Sequence, residues 1–114
     1  MPLNNKEKGN DGEEKACEYL KEKGYEIIER NYRCSGGEID IIASFGGYIV
    51  FIEVKYREND EMGLPREAVG VRKQKKIRNC ALEYIGENEI NDMDFRFDVI
   101  EILGGNIEHI ENAF

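Results

Sequence analysis

The chain has 114 residues, 40% of them hydrophobic, which suffices for one buried core without disulfide or metal staples and is too short for two domains. With 24 acidic against 16 basic residues the formal charge is −8, which excludes coating of nucleic acid, or docking on an anionic membrane, by bulk electrostatics. The charge is uneven, however: residues 1–29 carry net −3, residues 30–78 net +3 and residues 79–114 net −8, so any phosphate-binding surface belongs to the middle segment.

Taken in chain order, residues 1–8 are polar and read as a loose end of a single domain spanning 1–114. From about Asp11 to Lys23, Ala16, Tyr19 and Leu20 recur at helical spacing among Glu and Lys, and Gly24 is a natural stop. Tyr25 to Ile28 is strand-like, and Asn31 to Gly37 reads as a loop. Two apolar, β-branched runs follow, Ile39–Ala43 and Tyr48–Val54, joined as a hairpin through Ser44-Phe45-Gly46-Gly47. Arg57 to Leu64 is a polar loop, and Pro65 opens a long helix from about Arg66 to Ile85. Its apolar stripe is Val69, Ile77, Cys80, Ala81 and Tyr84. Phe95 to Leu103 and Ile107 to Ile110 are strands around a Gly104-Gly105 turn. The order α-β-β-β-α-β-β predicts an α/β fold, a mixed central sheet flanked by helices.

The cysteines Cys17, Cys34 and Cys80 are widely spaced and odd in number, no Cys-x-x-Cys occurs, and His109 is the only histidine, which leaves no structural zinc site. With no apolar run long enough to cross a bilayer and no signal-peptide layout, the expectation is a cytoplasmic protein with no membrane partner and three reduced, inert thiols.

The chemically informative residues are charges set in hydrocarbon: Asp40, Glu53 and Lys55. Their strands are apolar at alternate and intervening positions, the pattern of burial on both faces. A carboxylate there costs several kcal/mol unless it is paired or holds a metal. If Ala43 pairs with Tyr48 across a four-residue loop, Asp40 faces Phe51 and Glu38 faces Glu53. Glu38, Asp40, Glu53 and Lys55 then project to one side, with Asp40 and Glu53 diagonal neighbours roughly 7–8 Å apart. One divalent ion fits between such acids, and a hard cation, Mg²⁺ or Mn²⁺, would suit phosphodiester hydrolysis. Lys55 would position the attacking water or offset transition-state charge. The ordinary alternative is a buried ion-pair network, with Lys55 as the partner of Glu53.

The strings Gly37-Glu38-Ile39-Asp40-Ile41-Ile42-Ala43, Val50-Phe51-Ile52-Glu53-Val54-Lys55-Tyr56-Arg57 and Gly63-x-Pro65-x-Glu67-Ala68-Val69 resemble the YraN family of small bacterial proteins. Gly9-x-x-Gly12-Glu13-x-x-Ala16 and Arg96-Phe97-Asp98-Val99-Ile100 fit the same pattern, so the resemblance covers nearly the whole chain. That family is similar to the restriction-endonuclease-like, PD-(D/E)XK, nucleases, with Holliday-junction resolvases among its relatives. The resemblance implies Asp40 and Glu53 as metal ligands, Lys55 as the catalytic lysine and Glu13 as an additional helical carboxylate. Ile39 stands where the motif's name has Pro, and Glu38 is an extra acid, so which acids hold metal stays open.

Arg72, Lys73, Lys75, Lys76 and Arg78 cluster on the second helix. Such a run is ordinarily a solvated face, but Lys73 falls on the apolar stripe and must reach out toward something. With Arg30, Arg33, Arg57 and Arg66 the cluster is a candidate phosphate-binding surface. By likeness to related nucleases, Lys73 and Gln74 are the helical residues expected nearest the active site. Asp98, in a cleanly alternating strand, reads as structural. The leading expectation is therefore a metal-dependent endonuclease acting on branched or damaged DNA by shape, as a homodimer by analogy with resolvases. The alternative is a nucleic-acid-binding or scaffolding module of the same fold with little catalysis.

Overall fold

The computed structural model describes residues 5–57 and 70–114, and the side chains of residues 12–56 and 70–114. The elements are α1 (Asn5–Glu22), β1 (Glu26–Cys34), β2 (Gly37–Phe45), β3 (Tyr48–Arg57), α2 (Val71–Glu87), β4 (Asp94–Leu103) and β5 (Asn106–Ile110). The order is the predicted one, and the five strands form one mixed sheet, β1-β2-β3-β4-β5. Among the described strands only β3 and β4 run parallel, and α2 lies in the connection between them, as a parallel pair requires.

Each sheet face buries its own cluster. Ala16, Cys17 and Leu20 of α1 pack on Ile41, Ala43, Val50, Ile52, Ile100 and Ile102. Ile77, Cys80, Ala81 and Tyr84 of α2 pack on Ile39, Ile42, Phe51 and Val99. The strands between are apolar on both faces because both faces are covered. Gly24 ends α1 in the left-handed region at φ +95, with Tyr25 N–H bonded to Leu20 O and Gly24 N–H to Lys21 O, the Schellman arrangement.

α1 starts at Asn5, inside the stretch read as a loose end and before the expected Asp11. The structure corrects the sequence reading in four further places. The β2–β3 hairpin pairs Ala43 with Val50 and Phe45 with Tyr48. Its loop is thus Gly46-Gly47, both at positive φ, rather than four residues long. The register is two residues from the expected one, so Ile42, not Asp40, faces Phe51, and Glu38 pairs with Arg33 of β1 rather than with Glu53. Residues Asn31–Cys34, read as loop, continue β1, because Tyr32, Arg33 and Cys34 pair with Ile39, Glu38 and Gly37 of β2 up to a tight turn at Ser35-Gly36. α2 begins at Val71 behind an extended Gly70, later than Arg66. Pro65, Arg66 and Val69 lie outside the described residues.

The thiols are the fourth correction. Cys34 and Cys80 form a disulfide, and Cys17 is free and buried. They are 46 residues apart, but β1 ends beside the β2 start on which α2 rests, and their Cα atoms come to 5.4 Å. Closing a loop of that length is worth about 4 kcal/mol in the chain-entropy account.

A second buried network fastens the C-terminal end to β4. Asp98, fully buried, receives Arg96 Nε at 2.9 Å and Nη2 at 2.9 Å, Asn112 N–H at 3.2 Å, and lies 2.6 Å from His109 Nε2. Arg96 also bonds the Tyr25 hydroxyl, and the other ring nitrogen of His109 meets the Tyr19 hydroxyl at 3.3 Å. Asp98 therefore has the structural role its alternating strand suggested.

Candidate functional site

Where β2 leaves β3, a group of charged side chains converges. The last β2–β3 pair is Ile41 with Ile52, and just beyond it Asp40 Oδ2 accepts the Val54 N–H at 2.8 Å. The carboxylate is thereby held by backbone. Asp40 also shares a hydrogen bond with Glu53, which is buried. From the helical side, Lys73 Nζ of α2 reaches Glu53 Oε1 at 2.5 Å. The lysine that breaks the apolar stripe thus reaches into the site.

Glu13 arrives from α1. Gly12 packs so closely on Tyr56 of β3 that a Cβ there would lie 3.3 Å from the Tyr56 ring, and this proximity brings the next residue to the strand end. Glu13 hydrogen-bonds Asn31 and Asp40. Carboxylate oxygens of Glu13, Glu38 and Asp40 all lie within 4.8 Å of one another. A cleft of about 270 Å³ opens between Glu38, Asp40 and Glu53 on the sheet and Lys73, Lys76 and Ile77 on α2.

Crowding of like charge governs the electrostatics. Burial, and then the Glu53 charge, push the Asp40 carboxyl up to about 8, against the lowering effect of the Val54 N–H. Burial likewise raises Glu13, opposed by Asn31 and Arg30. Lys55 is lowered by burial and by neighbouring Lys73. Burial would lower Lys73 too, but its bond to Glu53 outweighs that and holds it raised. Acids packed this tightly must share protons or gain a cation, and an all-oxygen donor set suits a hard divalent ion. The residues present fit Mg²⁺ or Mn²⁺.

The crowding has a measurable sign. Asp40 titrates higher folded than its ordinary 3.8, so the folded state holds an extra proton between about pH 4 and pH 8. Its contribution to stability is full below that window and is lost as pH rises through it. Protein treated with EDTA is therefore expected to unfold at lower urea at pH 8.5 than at pH 5.5, and Mn²⁺ should restore the loss at pH 8.5. A urea midpoint flat across this range would contradict the crowded site.

Of the residues selected from sequence, Glu13, Glu38, Asp40, Glu53 and Lys73 come together, with Lys55 close to Lys73, Glu53 and Asp40. Arg30 is drawn to acids, 2.9 Å from Glu14 and 4.0 Å from Glu13, and Arg33 lies 3.7 Å from Glu38. Both flank the acidic group rather than standing clear of it. Arg72 and Lys76 are exposed on α2, Lys76 at the cleft wall, while Gln74 is half-buried. The Arg57 side chain and all of Arg66 lie outside what is described. Sequence reasoning missed Asn31, which gave no signal, and Glu101. Glu101 is buried and stands beside Lys55 in the β3–β4 ladder. An acid in an apolar strand was its signal, the same one that singled out Asp40.

Fold and site together define an α/β domain with a carboxylate-rich, lysine-walled cleft at the edge of a β-hairpin. The chain belongs to the family described as "Uncharacterised protein family UPF0102", whose model matches residues 12–102. It is 51% identical over 114 residues to a UPF0102 protein of Clostridioides difficile, covering 98% of this chain and 100% of that one. A UPF0102 protein of Thermodesulfovibrio yellowstonii is 50% identical over 108 residues, covering 95% of this chain and 96% of that one. One from Lachnoclostridium phytofermentans is 48% identical over 113 residues, covering 98% and 96%. The matched span contains every acid of the cleft. No helix among the described residues is long and apolar enough to cross a membrane.

Proposed function

We propose that this protein is a divalent-metal-dependent nuclease that hydrolyses DNA phosphodiester bonds at the Glu38–Asp40–Glu53 cleft and the adjoining Glu13, recognising branched or damaged DNA by shape. The observation that carries the reading is the carboxylate cluster, with oxygens within 4.8 Å, placed beside a buried Glu53 and two lysines. The resemblance to restriction-endonuclease-like enzymes agrees with it.

Glu13, Glu38 and Asp40 would hold the ion, with Glu53 adjoining through Asp40. When bound, Mg²⁺ or Mn²⁺ supplies Lewis-acid polarisation of the phosphoryl group and a more acidic water. The chain's own residues do the rest. Lys55, its pKa lowered by burial, faces the acids and offsets charge that builds on the phosphoryl oxygens. Lys73 orients Glu53 through their contact. Exposed Arg72, Lys75 and Lys76 on α2 attract the phosphate backbone locally, which reconciles DNA binding with a net charge of −8. Among the described residues no element resembles a base-reading recognition helix, so selection rests on backbone geometry.

The test is incubation of purified protein with Mn²⁺ and linear, single-stranded and four-way-junction DNA. Cleavage is expected, strongest on the junction, and absent from a double Asp40→Ala, Glu53→Ala variant. DNA that stays intact while bound would assign the protein to the scaffolding class. Cleavage that persists in the double variant would move the chemistry elsewhere.

A further inference from the structure

The disulfide lies beside the cleft. Cys80 is one helical turn beyond Lys76 on α2, and a Cβ on Gly37 would touch both Cys80 Sγ and Lys76 Cβ at 3.7 Å. Gly37 opens β2 directly before Glu38, and Cys34 pairs with it at the end of β1. The covalent link therefore joins the strand pair bearing Glu38 and Asp40 to the helix bearing Lys73 and Lys76. The two sulfurs differ in access. Cys34 is half-buried at the end of a strand, and its sulfur lies 3.4 Å from Gly37 O, whereas Cys80 is fully buried among Tyr84, Ala81 and Ile77.

The first turns of α2 are held mainly by polar contacts of Lys73, which meets Glu53 and Lys55. Its buried side chains are Ile77, Cys80, Ala81 and Tyr84, and none of residues 71–76 is buried. Before Ile77, the Lys73–Glu53 contact is the one ion pair to the sheet among the described residues. Four of the flanking residues, Val71, Arg72, Lys75 and Lys76, are exposed.

We propose that Cys34 and Cys80 are a reversible redox modification site for small-molecule thiols and disulfides, whose state sets how firmly α2 is held over the cleft. In oxidation the Cys34 thiolate attacks a small disulfide, forms a mixed disulfide and releases one thiolate. The Cys80 thiolate then attacks Cys34 Sγ, forming the Cys34–Cys80 bond and releasing the second thiolate. Two electrons pass from the cysteine pair to the small disulfide, and the two protons lost by the cysteines go to the released thiolates. In reduction a small thiol attacks the accessible Cys34 sulfur, Cys80 leaves as thiolate, and a second thiol frees Cys34. Without the link, the turns bearing Lys73 and Lys76 lose their one covalent tie to β1 and β2 and are held by non-covalent contacts such as Ile77 packing and the Lys73–Glu53 pair, so they open more often. The switch acts on the helix whatever the cleft binds.

The test is the full chain equilibrated in glutathione buffers of graded thiol-to-disulfide ratio. Alkylation with mass measurement reads the bond, and amide hydrogen exchange reads α2. The Cys34–Cys80 bond is expected to form and reverse across the series. Amides of residues 74–80 should exchange roughly tenfold or more faster in the reduced form, with the C-terminal half of α2 less affected. Cys34→Ser, which leaves the Cys80 packing intact, should show the reduced behaviour at every ratio. Failure of the bond to form in oxidised glutathione, or equal exchange of residues 74–80 in both forms, would overturn the proposal. Neither result depends on nuclease activity, so failure here is distinct from failure of the DNA-cleavage reading.

Discussion

Asp40→Asn is expected to make the metal-free protein more stable at pH 8 and to remove its response to Mn²⁺ at the same time. The substituted amide still accepts the Val54 N–H, which Asp40 takes at 2.8 Å, so the strand end keeps its bond. What disappears is a buried negative charge crowded by Glu53 and Glu13, the cause of the carboxyl's rise to about 8. At pH 8 wild type must ionise that group against its neighbours, and the variant need not. The fall in stability between pH 4 and pH 8 should flatten, as read by urea unfolding in EDTA. Under the nuclease reading, Mn²⁺-dependent cleavage should drop by about 10³-fold, near 4 kcal/mol of transition-state stabilisation. A gain in stability with loss of cleavage is the signature of a site whose acids are held together for function. Loss of both would mean that Asp40 is merely structural.

Asp98→Ala should do the opposite and damage only stability. The change removes the acceptor for Arg96, His109 and Asn112 N–H together, and leaves a guanidinium of 7% side-chain exposure facing an empty site. Breaking a buried pair from one side costs about 3–5 kcal/mol, which for a domain of this size lowers the thermal midpoint by more than about 10 °C. The surviving partners of Arg96 are the Tyr25 hydroxyl and Glu111, 3.7 Å away and mostly exposed, too weak to compensate. Burial alone would raise Asp98, but the His109 and Arg96 bonds outweigh it and hold its pKa below the ordinary 3.8. Its stabilising effect is thus fully present above that value and fades as pH falls through the lowered pKa. Differential scanning calorimetry at pH 7 decides: a midpoint within a degree or two of wild type would show that the network is dispensable.

The two acids look alike in sequence, each an Asp set among apolar strand residues. Asp40 lies among other acids and is pushed up, while Asp98 lies against an arginine and a histidine and is pulled down. Strand patterning identifies a buried carboxylate but does not say which neighbours the other elements bring to it. The same gap explains the hairpin. A register slip of two residues leaves every side chain on its own face, so hydrophobic alternation cannot distinguish the two pairings, whereas a slip of one would have been obvious. Turn chemistry could have decided it, since Gly46 and Gly47 alone supply both positive φ values of a two-residue loop.

Local pattern alone determined the order of seven elements, the double-sided burial of β2 and β3, and the selection of Asp40, Glu53, Lys55 and Lys73, because periodicity and the cost of burying charge act within a few residues of chain; Glu13 was singled out only by the family resemblance. Tertiary structure alone decided which of those charges meet. It brought Glu13 from α1 to Asp40 and set Lys73 of α2 on Glu53. It placed His109 against Asp98 and joined Cys34 to Cys80 across 46 residues. Those contacts join residues far apart in the chain, and short-range spacing carries no information about them. The net charge of −8 divides in the same way: its sum and its three segments are sequence, but only the fold gathers Glu13, Glu38, Asp40 and Glu53 into one place where a cation is wanted.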